Sequence, residues 1–353
     1  MRVSFIRLTK NHTCLRVRTL FAVATLFCVL VGKAVAWESS ENASLTGLGR
    51  ALFTSPLLSR DGRVACSSCH DPARAYADSH PNGIGVGGKI GTRNVPSLIG
   101  VANDTSFFWD GRRARLEEVV LDPITNPFEM GSPYLADAIE RLRSDPELSR
   151  KFQDAFPKEA RNITSEQVQR ALIAFVTSLS TGKSTFDRAQ QRHEALPGNA
   201  ELGRKLFEGV AGCASCHALT GTPMRFSDGK FHHSGIGEIV RSEHLSRLAQ
   251  DVVRQDLDAN ALGPKVLADS HWASLGRFVV SHRPTDIGAF RTPSLRNVAV
   301  TSPYMHDGSI ATLSDAVDHE IYYRSLSTGH PINLTQGERQ AIVAFLETLT
   351  DMP

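Results

Sequence analysis

The chain has 353 residues, 22% charged and 41% hydrophobic, with 13 histidines but only six cysteines. Its formal net charge of +2 comes from the first 36 residues, which hold six of the 39 Lys and Arg and none of the 37 Asp and Glu, so the remaining 317 carry −4. A slightly acidic body removes the electrostatic motive for a nucleic-acid partner, and its length suffices for two domains of ordinary size.

In chain order, Arg2, Arg7, Lys10, Arg16 and Arg18 precede the apolar run LFAVATLFCVLVG and then AVA before Trp37. This is the order of a secretory signal peptide, residues 1–36, cleaved after Ala36. The run is short for a membrane span, which needs about 20 residues, and no second such run follows. An uncleaved anchor is the alternative. The expectation is a periplasmic protein with no stable membrane span after signal cleavage.

LGRALF (Leu48 to Phe53) reads as a short amphipathic helix and is followed by VACSSCHDP (Val64 to Pro72). The same order returns as LGRKLF (Leu202 to Phe207) and GCASCHALT, with the second cysteine pair 147 positions after the first. Cys66, Cys69, Cys213 and Cys216 are therefore four of the six thiols, and Cys14 and Cys28 lie in the signal segment. Paired cysteines in an exported chain suit disulfides, zinc half-sites or a redox dithiol, but none of these explains a histidine directly after both pairs. Covalent haem c does: two thioether bonds hold the macrocycle and the adjacent imidazole reaches the iron. Two haems c are expected, with His70 and His217 as proximal ligands.

The repeat runs further. EQVQRALIAFVTSLST (Glu166 to Thr181) is echoed by GERQAIVAFLETLTD (Gly337 to Asp351), each with apolar residues at helical spacing. TGKSTFDRAQQRHEALPGN between the halves is polar and loop-like, with the boundary near Arg188. TRNVPSLIG corresponds to RTPSLRNVA, and FFWDGRRARLEEVV to PYMHDGSIATLSDAV. No strand alternation is sustained, and Gly and Pro cluster between the haem motifs and the closing helices. The expected fold is all-α: two tandem class I cytochrome c-like domains, 37–187 and 188–353, with long functional loops and haems facing a shared interdomain cleft.

LSRDGRVACSSCHDP, RNVPSL, FFWDGR, NPFEMG and RTPSLRNVAVTSPYMHDG, in this order with the two haem motifs, resemble the bacterial di-haem cytochrome c peroxidase and MauG superfamily over nearly all of the chain after the signal. The resemblance implies a reactive haem in the N-terminal domain, an electron-storing haem in the C-terminal domain, a tryptophan between them and one calcium ion. By motif, the tryptophan is Trp109 and the distal acid is Glu129. The calcium ligands are Asn94 with Thr301 and Pro303, the last two through backbone carbonyls. A carboxyl raised in pKa by burial can take a proton from bound hydrogen peroxide and return it to the leaving oxygen. The ordinary alternatives are a helix-start glutamate for Glu129 and a core aromatic for Trp109.

Three positions depart from the peroxidase pattern. A family segment resembling IGHGWQKGPRN supplies a histidine that blocks the reactive haem until the other is reduced; here IGVGGKIGTRN (Ile84 to Asn94) has Val86, which cannot ligate iron, and His80 is the nearest substitute. Fourteen residues after His306, where peroxidases of the family place a methionine and MauG a tyrosine, stands Glu320 within VDHEIYYRS. Tyr323, Tyr322 and Glu320 compete as sixth ligand of the second haem, Met305 lies outside the segment, and a phenolate would stabilise ferric and higher oxidation states. Finally, the surface-relay tryptophan of MauG is Ala211 here, so the route outward differs, through Trp272 or a tyrosine, or the substrate does.

The resemblance thus implies a haem-dependent oxidase of MauG type using hydrogen peroxide, or oxygen plus electrons, on a protein substrate. The substrate it implies is the methylamine dehydrogenase precursor, whose tryptophylquinone cofactor forms by oxidation of two tryptophans. The alternative is a peroxidase reducing hydrogen peroxide with electrons from a small cytochrome c or cupredoxin. A third reading, a non-enzymatic di-haem electron carrier, needs both irons six-coordinate.

Overall fold

The computed structural model describes residues 42–159, 162–236 and 244–351; the signal segment and its cleavage point lie outside them. The chain folds as helices joined by long loops, and the two halves repeat one packing arrangement.

In the first half, helix α1 (42–54) is followed by the first haem motif, then α2 (Leu135–Arg143), α3 (Pro146–Ala155) and α4 (Ser165–Ser178). Across the junction come α5 (Thr185–Arg192) and α6 (Ala200–Glu208). The second half closes with α9 (Leu313–Thr328) and α10 (Gln336–Glu347), after α7 (Leu245–Gln255) and α8 (Ala259–Ala268).

Both closing helices begin at a capping box. Thr164 accepts from the Gln167 amide, and Thr335 from the Glu338 amide, while each N3 side chain returns to the cap backbone. Each then crosses the helix preceding a haem motif at a glycine. A Cβ on Gly49 would lie 1.9 Å from Ala171 O, and one on Gly203 1.8 Å from Ala341 O, so only a bare Cα permits either crossing. One turn further along, Phe53 meets Phe175 with ring centroids 5.0 Å apart, and Phe207 meets Phe345 at 5.2 Å. These pairs sit in two separate apolar cores, one from Leu48 to Leu179 and one from Phe186 to Leu349.

Two stretches differ from the sequence expectation. The polar junction is not a loop over 185–192: Ser184 and Asp187 form a capping box, Phe186 is buried in the second core, and Asp187 pairs with the buried Arg296 at 2.6 Å. Its polarity is that of a capped helix with one apolar anchor. Nor is the fold purely helical. Strands β1 (Phe231–His233) and β2 (Ala289–Arg291) pair antiparallel, His232 opposite Phe290, and three-residue strands are too short to show alternation. The residues between them, including α7 and α8, carry a third apolar cluster around Val252, Leu262, Val266 and the buried Trp272.

Polar contacts fasten the halves together. Asp351 accepts from Thr181 Oγ1 at 2.7 Å, and Asp104 pairs with both Arg225 and Arg291.

Candidate active site

Each haem motif opens as one tight turn, Cys66–Ser68 or Cys213–Ser215, and the histidine amide donates back to the first cysteine's carbonyl at 2.9 Å in both. His70 Nδ1 lies 2.9 Å from Tyr76 O, and His217 Nδ1 lies 2.9 Å from Phe226 O. A carbonyl can only accept, so Nδ1 carries the proton and Nε2 is left with a free lone pair. Burial pushes both imidazoles below the ordinary histidine range, which keeps them neutral. Burial also pushes the thiols up, Cys66 to about 12 and Cys69 and Cys213 to about 11. Among the described residues no group of three or more His, Cys, Asp or Glu is placed to hold a metal ion. The donor set at each motif, two thiols and one neutral imidazole with a committed Nδ1, fits covalent haem c.

Beside the second motif lies a cavity of about 470 Å³, walled by Cys213, Cys216 and His217 and by one face of α9. Ala316, Val317, Glu320, Tyr323, Arg324 and Ser327 form that face at three- and four-residue spacing. Glu320 and Tyr323 thus reach the cavity wall, whereas Tyr322 is 65% exposed and not part of it. Met305 also lines the cavity. Burial raises the Glu320 carboxyl, opposed by His319 and Arg324. The Tyr323 ring lies parallel to that of His319, whose Nε2 donates to Ser234 O at 2.7 Å.

Near the first motif, Glu129 follows the turn Asp122–Thr125. Burial raises its carboxyl to about 7, against the opposing pull of the Arg112 guanidinium. Asn126, 5% exposed, orients it: its Oδ1 accepts from the Phe128 amide at 3.0 Å, and its side chain hydrogen-bonds the Glu129 carboxyl. Arg112 is itself held by Asp110 at 2.9 Å and covers the Phe108 ring at 3.5 Å. Sequence reasoning missed Asn126 and Arg112 as a supporting pair. The visible signal was an Asn two residues before an amide it could bond, inside the quoted NPFEMG.

Val86 is 1% exposed, its amide donates to Glu129 O at 2.8 Å, and its side chain fills the space that a Cβ on Gly131 would need. His80 is exposed and paired with Asp78 at 2.8 Å.

Trp109 joins the halves. Its indole Nε1 donates to Asn94 O at 2.8 Å and its carbonyl accepts from the Arg291 amide at 2.9 Å, while Trp109, Asn94, Thr301 and Pro303 all line the cavity of the second motif. The Asn94 side chain donates to Pro81 O at 3.1 Å. Ala211 is wholly buried, and Trp272 lies in the third cluster beneath Lys265 Nζ at 4.9 Å.

Residues 43–195 match the family described as di-haem cytochrome c peroxidase. The chain is 34% identical to the methylamine utilization protein MauG of Methylorubrum extorquens over 312 residues, 87% of this chain and 78% of that protein. It is 33% identical to the cytochrome-c peroxidase IdrP2 of Denitromonas iodatirespirans, over 88% and 83% of the two chains. The crystal structure of a MauG-like protein associated with microbial copper homeostasis superposes with a TM-score of 0.71 at 29% identity, covering 87% of this chain and 89% of that one. With haem-type motifs in both halves and relatives alike over nearly its whole described length, the chain belongs to the di-haem cytochrome c peroxidase and MauG family of haem-dependent oxidoreductases.

Proposed function

We propose that this chain is a periplasmic di-haem oxidase of MauG type that uses hydrogen peroxide, or oxygen plus electrons, to oxidise a protein substrate. The observation that carries the reading is Val86: a buried valine, bonded through its amide to Glu129, stands where the peroxidases place a blocking histidine. Valine offers no lone pair, so a haem held at the first motif would gain no ligand from this position and would need no prior reduction to open it.

In this reading Cys66, Cys69 and His70 hold the reactive haem and Cys213, Cys216 and His217 the storing haem, in two tandem class I cytochrome c-like domains, 37–187 and 188–353. The repeated glycine crossings and phenylalanine pairs support two such units, and Phe186 in the second core with Asp187 on Arg296 puts the whole of α5 with the second. A haem iron bound here would supply the electrons for cleavage of the peroxide O–O bond. Glu129 in its ionised form takes the proton from the near oxygen and returns it to the leaving oxygen, and Asn126 keeps the carboxyl aimed. Trp109, hydrogen-bonded to one half through Asn94 and to the other through Arg291, connects the two sites. Tyr323 is favoured over Tyr322 as sixth ligand of the second haem because it reaches the cavity, with Glu320 its rival on the same face. Calcium at Asn94, Thr301 and Pro303 is proposed from the resemblance, supported by their common position on the cavity wall.

The methylamine dehydrogenase precursor is the protein substrate proposed, on the likeness to MauG proteins. A second reading, hydrogen peroxide reduction with electrons from a small cytochrome c or cupredoxin, is favoured by one observation: Ala211 is buried where a surface-relay tryptophan would be needed. The test is to give the fully ferric protein peroxide together with either the precursor or a reduced small cytochrome. Quinone absorbance from the precursor without prior reduction supports the oxidase; oxidation of the cytochrome alone, and only after half-reduction of the protein, establishes the peroxidase.

A further inference from the structure

Arg93 is 7% exposed, and among the described residues no carboxylate hydrogen-bonds it. One guanidinium nitrogen, NH1, lies 3.2 Å from His306 Nδ1; the other, NH2, donates to Ala273 O at 2.6 Å. The guanidinium carbon lies 5.1 Å from the Phe290 ring centroid, and Phe290 stacks on His306 at 3.7 Å and 20°. Arg93 Nε is buried with no hydrogen-bond partner among the described residues.

His306 and Phe290 line the cavity of the second haem motif, and Arg93 stands one side-chain layer behind them. A guanidinium stays protonated at neutral pH, so Arg93 is a cation there. A buried cation without a bonded anion is costly, and an apolar residue would fill the same space at less cost. Packing therefore does not account for it. The geometry does show what the charge acts on. A guanidinium only donates, so His306 Nδ1 accepts, and the neutral ring carries its proton on Nε2.

We propose that Arg93 is a positioning residue of the second haem site, a fixed positive charge that holds His306 as its neutral Nε2–H tautomer and raises the reduction potential of the haem carried by Cys213, Cys216 and His217. Reduction lowers the charge on the iron by one, so a cation fixed in a low-dielectric wall stabilises the reduced form. The proposal rests on the second haem site and is indifferent to the choice between oxidase and peroxidase.

The test is a spectroelectrochemical titration of the two-haem protein, followed haem by haem, for wild type, Arg93→Lys and Arg93→Gln. Lysine keeps the charge; glutamine keeps a donor for His306 and removes the charge. Arg93→Gln is expected to shift the oxidised-to-reduced ratio of the His217 haem about tenfold toward oxidised at a given ambient potential, about 59 mV for a one-electron couple. Arg93→Lys stays near wild type. Equal shifts in both variants, a shift confined to the His70 haem, or no shift with both haems attached would overturn the proposal. Should the glutamine variant fail to fold, Arg93→Lys decides alone: a retained potential supports the charge role and a tenfold change overturns it. A wild-type protein that attaches only one haem would instead contradict the second haem site itself, which haem content measures separately.

Discussion

The amide of Val86 donates to the carbonyl oxygen of Glu129 at 2.8 Å, and the Val86 side chain packs against the bare Cα of Gly131, which has φ +64°. The residue in the blocking position and the proposed distal acid are thus one bonded unit. Gly131→Ala puts a Cβ 2.5 Å from Val86 Cγ2 in a left-handed backbone conformation. It should lower stability by about 1–3 kcal/mol in a denaturant titration. The optical spectrum of the His70 haem should change while that of the His217 haem does not.

Because burial raises Glu129 to about 7, its reactive base form accumulates only as the pH rises through that value. The rate of the first reaction with peroxide is expected to increase with pH below about 7 and level off above it. Glu129→Gln should remove that limb and slow the reaction about a hundredfold or more, with both haems still attached. Asn126→Asp replaces a donor to the carboxyl with a like charge, which should move the limb to higher pH. Stopped-flow rates over a pH series check both.

On α9, Tyr323→Phe should change the ligation of the low-spin haem, read from its optical and magnetic spectra, because Tyr323 reaches the cavity of the second motif. Tyr322→Phe should leave it unchanged, since that ring is 65% exposed. Met305→Leu should also be silent, since Met305, though on the cavity wall, lies before α9 and outside VDHEIYYRS. A low-spin signal lost in the Met305 variant alone would move the site to the peroxidase type.

The glycine crossings give a test of the two-domain division. A Cβ at Gly49 or Gly203 meets a carbonyl oxygen closer than 2 Å, so alanine at either forces the helices apart and should cost about 3 kcal/mol or more. Under tandem domains each variant lowers the melting of its own half, which differential scanning calorimetry separates when the haem spectra are followed in parallel.

Much of this was legible because local chemistry wrote it into short spacings. A cysteine pair with an adjacent histidine needs no tertiary context to suggest a haem, and Gly49 and Gly203 stood inside two hexapeptides alike enough to reveal a repeat. What stayed hidden depends on contacts made far along the chain. Arg93 and His306 are 213 residues apart, and Asp187 and Arg296 are 109 apart, so neither pair leaves a local pattern. The helix at 185–192 was masked by its polarity, since Phe186 is its one large apolar anchor and caps do not alter composition. Tyr322 and Tyr323 are adjacent in sequence, and only the orientation of α9 tells which meets the cavity.

The first haem is proposed to be open as made, because Val86 supplies no ligand. Electron paramagnetic resonance of the fully ferric, two-haem protein, untouched by reductant, measures this directly. One high-spin and one low-spin signal in equal amounts are expected. Two low-spin signals would contradict it, since both irons would then be six-coordinate and the protein would behave as a carrier or as a peroxidase awaiting activation.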